Sequence, residues 1–293
     1  MIYASREEVS ESMASLALAL QGGSGARLSP EESANNIGRN VVMLVRANTL
    51  ESVIDSPRPG CADFFIDSVG CGLQITADGF ILTAAHIIED WIEDWRNWWS
   101  ERSPSPSEFA GIALKSGYLY WVIRQDDAGY IKASPIDGTT ICYDLKYDVA
   151  LIKAVNGLKP SPLDFKIAEG LESSDDLRLL TRNKMDVSLY ATEGGILRLS
   201  QSLPMLIEGH ETRKIRLVYD FFQTDIPARS GNSGSPIINQ DGALVGLVSA
   251  VSVPKLSDQE NPEREGYATC SRITYALSLA YKLRRQVGQF LTG

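Results

Sequence analysis

Two successive groups of short β-type runs, broken by Asp-Gly turn signals, set the tightest limit on what this chain can fold into. The first group comprises Val41–Arg46, Gly72–Thr76, Phe80–Ala84, Tyr118–Arg124, Tyr130–Ala133 and Val149–Lys153, with turns at Asp78-Gly79 and Asp137-Gly138. The second comprises Leu177–Thr181, Gly195–Ser200, Ile215–Phe222, Ser235–Asn239, Ala243–Val251 and Tyr267–Cys270, with a hairpin turn at Asp241-Gly242. Many short runs of β-branched and aromatic residues at this spacing are the signature of an all-β fold. Lys159–Asp176, rich in Pro, Ser and acidic residues, suits the crossover between two lobes.

Helical patterns lie outside and between these groups. Ser5 and Glu8 form a capping box ahead of Val9, Met13, Leu16 and Leu20, which recur at helical spacing. Gly22-Gly23-Ser24-Gly25 breaks that helix as a flexible hinge, and Ser29-Pro30-Glu31-Glu32 starts a second one. Residues 1–38 are therefore expected to form a helical N-terminal extension that either packs on the body or docks a partner. Tyr275–Leu291 reads as a terminal helix with Leu277, Leu279, Ala280, Leu283 and Val287 available for packing. Trp91, Trp95, Trp98 and Trp99 share a face with Ile92 opposite Asp90, Glu93, Asp94 and Arg96. This amphipathic helical insertion over 89–102 is either clamped to the body or offers a rim to a substrate or partner.

Charge and composition remove several function classes. A formal net charge of −9 is unsuited to a nucleic-acid-binding surface. No run of 18 apolar residues is present, so no membrane-spanning helix is expected. Met1–Glu8 lacks the charged start and apolar core of a secretory signal. Cys61, Cys71, Cys142 and Cys270 show neither CxxC spacing nor a metal pattern, so no metal or cofactor is expected. Four reduced, mostly buried thiols in a cytoplasmic protein is the expectation that follows.

Three fragments carry chemistry. Ala228-Arg229-Ser230-Gly231-Asn232-Ser233-Gly234-Ser235-Pro236 sets a small nucleophile in a glycine-rich turn where backbone N–H groups can converge. Leu82-Thr83-Ala84-Ala85-His86 and Tyr147-Asp148-Val149-Ala150-Leu151-Ile152 precede it. Only one other histidine exists, His210, in the charged segment Glu208–Lys214, which reads as a solvated loop. A base, if histidine, is therefore His86.

His, then Asp, then Ser in these local contexts resembles the trypsin/chymotrypsin-type serine proteases. Thr76-Ala77-Asp78-Gly79-Phe80-Ile81-Leu82, Gln223-Thr224-Asp225, Asn232 and Gly266-Tyr267-Ala268 bring it nearest to the HtrA/Deg group. The resemblance spans residues 40–285 and implies a chymotrypsin-like double β-barrel. Its parts would be a first barrel at 39–160, a second at 161–272 and a C-terminal helix at 273–293. It also implies a serine endopeptidase with His86, Asp148 and Ser233 as catalytic residues, and Gly231 and Ser233 as oxyanion hole. Ile226, Pro227, Ala228, Arg229, Ser249, Ala250, Val251 and Tyr267 would line the substrate pocket. No acid lies on Ile226–Ser230, so small or medium apolar side chains fit better than Lys or Arg. Arg229 either recruits an acidic substrate group or is a solvated loop residue.

Digestive relatives carry an acid at the position of Asn232, where it pairs with a newly cut N-terminus. The amide cannot, so control is expected from loop ordering or a partner engaging the N-terminal helix or the Trp91–Trp99 helix. The chain departs from the HtrA/Deg pattern in carrying Ser235 where Gly is usual, and in having too few residues after the body for a PDZ domain. A protein or peptide substrate is implied. The alternative from another class is a catalytically silent module with a protease fold used for binding.

Overall fold

The computed structural model describes residues 28–47, 68–88, 119–125, 131–154, 166–183, 187–208, 213–252 and 266–280. The expected helix over Ser5–Leu20, the glycine hinge, the Trp91–Trp99 helix, Cys61 and His210 lie outside those residues.

Helix α1 (Pro30–Asn40) starts where the capping signal places it. The Ser29 side chain accepts from the Glu32 N–H at 3.2 Å, and the Glu32 carboxylate accepts from the Ser29 N–H at 2.8 Å. These bonds hold the Glu32 carboxyl below its ordinary pKa, the backbone bond from Ser29 contributing most. Ala34 and Ile37 face the protein interior, and the Ser33 hydroxyl donates to the Gly242 carbonyl at 2.6 Å. Only glycine fits at 242: a Cβ there would lie 2.4 Å from the Pro30 carbonyl oxygen, at φ +69°.

Two closed rings of strands follow. The first contains β1 (Val41–Ala47), β2 (Ser68–Gln74), β3 (Phe80–Thr83), β4 (Leu119–Gln125), β5 (Ile131–Asp144) and β6 (Val149–Ala154), in the order β1-β2-β3-β6-β5-β4. The second contains β8 (Asp176–Arg182), β9 (Leu189–Glu208), β10 (Arg213–Ala228), β11 (Pro236–Asn239), β12 (Ala243–Ser252) and β13 (Gly266–Arg272). Its order is β11-β8-β9-β10-β13-β12, closed by β11 against β12. The short strand β7 (Lys166–Ile167), inside the crossover segment, adds parallel to β12.

One sequence expectation is corrected. Asp137-Gly138 does not turn the chain between two strands but lies inside β5. There the register against β6 slips between Asp137 and Ile141, the mark of a bulge at a corner. Residues Ile131–Pro135 pair with β4, and the strand then bends to pair with β6. Serving two neighbours also makes β9 longer than its expected core: Leu189–Gly195 pair with β8 and later residues with β10.

Alternation explains why β1, β3 and β6 read as unbroken apolar runs. Val42, Leu44, Ile81, Ala150 and Ile152 fill the first ring. Their neighbours Val41, Phe80, Leu82, Val149 and Leu151 point outward into a seam with Leu180, Ile238, Leu244 and Leu247 of the second ring. Strands buried on both faces lose the polar half of the pattern. Each Leu or Phe fully buried in this seam contributes roughly 1.5–3 kcal/mol. Helical residues 273–280 close the seam with Ile273, Ala276, Leu279 and Ala280, and Tyr275 stacks on Tyr147 at 3.7 Å between centroids. Leu283 and Val287 lie outside the described residues. Among the described residues, no helix is long and apolar enough to cross a membrane.

Candidate active site

Three turns meet at the seam between the rings. The first follows β3, where a single 3-10 turn (Ala85–Ile88) buries Ala85, Ile87 and Ile88 and leaves the His86 side chain 20% exposed. The second precedes β6. Asp148 there adopts φ +50°, a left-handed conformation that Asp tolerates better than most residues. That conformation buries its carboxylate completely, beneath His86.

Asp148 is held by donors from two elements. Its Oδ1 accepts from the His86 backbone N–H at 2.9 Å, and its Oδ2 lies 2.8 Å from His86 Nδ1. The Ser249 hydroxyl, on β12, donates to the same Oδ2. A carboxylate only accepts, so Nδ1 carries the imidazole proton and Nε2 presents a lone pair. The anchored backbone N–H fixes where the ring starts and the Nδ1 contact fixes its plane.

The third turn, after β10, carries Ser233. Asn232 N–H donates to the Arg229 carbonyl, and Ser235 N–H to the Asn232 carbonyl, each at 3.0 Å. Gly234 N–H donates to the Val248 carbonyl at 2.7 Å. Among the described residues, no backbone acceptor takes the N–H of Gly231 or of Ser233. The Ser233 carbonyl, in contrast, accepts from Cys71 N–H on β2 at 2.7 Å. A Cβ at Gly234 would sit 2.0 Å from the Cys71 carbonyl oxygen, at φ +79°, so this position must be glycine for the turn to seat on β2. A Cβ at Gly70 would meet Ile87 at 2.4 Å and the Ser233 carbonyl at 2.8 Å, which places the Ser233 turn beside the His86 turn.

Asn232 is buried and fully used. Its Oδ1 accepts from Arg229 N–H at 2.7 Å, and its Nδ2 donates to Thr181 Oγ1 and Tyr190 Oη, both at 3.0 Å.

The expected pocket residues divide. Ile226 and Ala228 are buried in the interior of the second ring with Ala268, and Val251 packs on that cluster. Pro227 and Arg229 are exposed, Ala250 is half-buried, and Tyr267 is 41% exposed on a strand paired with Pro227. Ser249 belongs to Asp148 through its hydroxyl, a role its position 101 residues away in sequence does not announce. Sequence reading also missed Thr181, Tyr190 and Cys71; the only signal was the unusual Ser235. Among the described residues, no group of three or more His, Cys, Asp and Glu is placed to hold a metal ion.

Comparison with known proteins agrees with the double-barrel fold. Residues 70–247 match the trypsin-like peptidase domain. A DegP-like periplasmic serine endoprotease of Pseudomonas fluorescens is 28% identical over 184 residues, 63% of this chain and 29% of that protein. The HtrA-like serine protease of Staphylococcus aureus is 22% identical over 233 residues, 78% of this chain and 25% of that one. The chain thus spans between a quarter and about a third of the length of the curated relatives it matches. Among solved structures, the HtrA-type protease AlgW with a decapeptide superposes with a TM-score of 0.52 at 16% identity, covering 87% of this chain and 67% of that one. Deg5 superposes at 0.51 with 17% identity, covering 86% and 94%. A double-barrel fold of this kind and a match over more than half of the 293 residues establish that the chain belongs to the trypsin-like peptidase domain family, with HtrA/Deg proteases among its relatives.

Proposed function

We propose that this chain is a serine endopeptidase in which Ser233 is the nucleophile, His86 the general base and Asp148 the group that orients it. The observation that carries the reading is the buried Asp148 carboxylate gripping both the backbone N–H and Nδ1 of His86. In the first step Ser233 Oγ bonds to the substrate carbonyl carbon while its proton passes to His86 Nε2. The oxygen of the carbonyl becomes negative and is met by the N–H groups of Gly231 and Ser233, which no backbone carbonyl among the described residues accepts. Collapse breaks the C–N bond, and His86 gives its proton to the leaving amine. Water then attacks the acyl-serine with the same base, releasing the acid and restoring the serine hydroxyl.

The lack of an acid on Ile226–Ser230 supports a substrate pocket that takes small or medium apolar side chains. Asn232 has both amide ends occupied by Arg229, Thr181 and Tyr190, which supports activity without N-terminal trimming. Control falls instead to loop ordering or to a partner at residues 5–20 or at Trp91–Trp99, both amphipathic in sequence. Cys71 and Cys270 as buried thiols outside any disulfide support a reducing compartment, here the cytoplasm.

The test is hydrolysis of an unstructured protein and of peptides with Ala, Val or Leu before the cut. Ser233→Ala and His86→Ala should each abolish it while leaving the folded chain intact. Turnover retained by either variant refutes the assignment, and a folded wild-type protein inert towards both substrates favours the silent binding module.

A further inference from the structure

We infer that Thr181 is a positioning residue for the oxyanion donor at Gly231, acting through Asn232 and Cys71; this rests on Ser233 being the nucleophile. Thr181 lies on β8, fully buried, and its single hydroxyl meets three side chains. Asn232 Nδ2 donates to it at 3.0 Å and Ser235 Oγ at 2.7 Å. A hydroxyl has two acceptor sites and one proton, so these two donors leave the proton for the remaining neighbour. That neighbour is Cys71 Sγ at 3.6 Å, a usual separation for a sulfur contact. With the thiol sulfur accepting from Thr181, its own proton is directed to the Gly231 carbonyl, also at 3.6 Å.

The circuit grips the turn at two points. Through Asn232 Oδ1 it holds the Arg229 N–H at 2.7 Å, and through Cys71 it holds the Gly231 carbonyl. Between those points lies the peptide that carries the Gly231 N–H, at a residue with φ +93°. Grips on both sides narrow the excursions of the peptide between them, and so of its N–H. Ser235, the hydroxyl that departs from the family pattern, supplies the donor that completes the accounting at Thr181. Cys71 reinforces the arrangement through its backbone, which donates to the Ser233 carbonyl at 2.7 Å.

The experiment compares wild type, Thr181→Val, Thr181→Ser and Cys71→Ala. Two readouts serve: the second-order rate of fluorophosphonate labelling, and kcat and KM on one chromogenic peptide. Valine keeps the shape and removes the hydroxyl. Misplacing one oxyanion donor should lower the labelling rate and kcat by about 10- to 100-fold, below the loss of about 100- to 1,000-fold for removing a donor. KM should stay within about twofold, because the donor acts in the transition state. Thr181→Ser should recover most of the rate. Cys71→Ala, which cuts the path from Thr181 to the Gly231 carbonyl and leaves the Asn232 grip in place, should show the same kcat-only loss, and it decides the matter if Thr181→Val does not fold. Wild-type rates in folded Thr181→Val or Cys71→Ala, a loss confined to KM, or a Thr181→Ser as impaired as valine would each overturn the role of Thr181. A folded wild type that takes no label at Ser233 overturns the peptidase reading itself.

Discussion

Asp148→Asn is the substitution for which the structure fixes the outcome most narrowly. The backbone should tolerate it, because Asn enters the left-handed region as readily as Asp and φ at this position is +50°. The change is in the donors and acceptors. Asp148 offers two acceptor oxygens and meets three donors: His86 N–H at 2.9 Å, His86 Nδ1 at 2.8 Å and the Ser249 hydroxyl. Asn offers one oxygen and one NH2. The backbone N–H of His86 cannot become an acceptor, so the oxygen must face it and the NH2 must face Nδ1. Nδ1 then has to accept, which moves the ring proton to Nε2 and removes the lone pair that would take the proton from Ser233. In enzymes built on this triad the wrong tautomer costs about 10⁴-fold in kcat, equivalent to roughly 5.4 kcal/mol at 1.36 kcal/mol per decade. Steady-state hydrolysis, with Ser233→Ala as the background and circular dichroism to confirm folding, measures it. An Asp148→Asn protein that keeps a tenth or more of the wild-type kcat would refute the tautomer argument.

Other consequences follow from single contacts. Gly234→Ala would place a Cβ 2.0 Å from the Cys71 carbonyl in a left-handed backbone. It should destabilise the protein by at least about 2 kcal/mol, visible as a lowered Tm, and a wild-type Tm would show that the turn is not seated on β2. Denatured protein should titrate four thiols without reductant. In the native state at pH 8, Cys270 should be the slowest to react, since burial pushes its pKa up and keeps it a thiol; fast labelling of Cys270 would contradict its burial. Burial, the hydrogen bond to Asp220 and its charge raise the Tyr275 pKa to about 12, above the ordinary value of 10. A raised folded-state pKa gives stability that is complete below about pH 10 and lost as pH climbs to about 12. Urea unfolding across pH 9–12 should show that decline, and Tyr275→Phe should flatten it; equal slopes in both proteins would contradict the assignment.

How much of this was legible in the sequence depends on how local each feature is. The all-β class followed from the runs themselves, because a strand pattern and its turn residues are neighbours in the chain. The capping box at Ser29 was readable for the same reason, since both partners lie within three residues. Asp137-Gly138 misled because the dipeptide permits a turn but the ladder partners on β4 and β6 decide whether one forms. Thr181 and Tyr190 were invisible as parts of the site, and Ser249 was expected only in the pocket lining: their hydroxyls reach Asn232 or Asp148 across 51, 42 and 101 residues. Ser235 was noticeable as a departure, but its partner Thr181 could be identified only once the rings had closed.

The central claim is that the Ser233 hydroxyl is activated by a histidine held on Asp148. Treating the folded protein with a fluorophosphonate and mapping the adduct by mass spectrometry tests it directly. The geometry predicts one adduct per chain, on the peptide containing Ser233, absent from Ser233→Ala and nearly absent from His86→Ala and Asp148→Asn. A folded wild-type protein that takes no adduct, or an adduct that persists in Ser233→Ala, would contradict it.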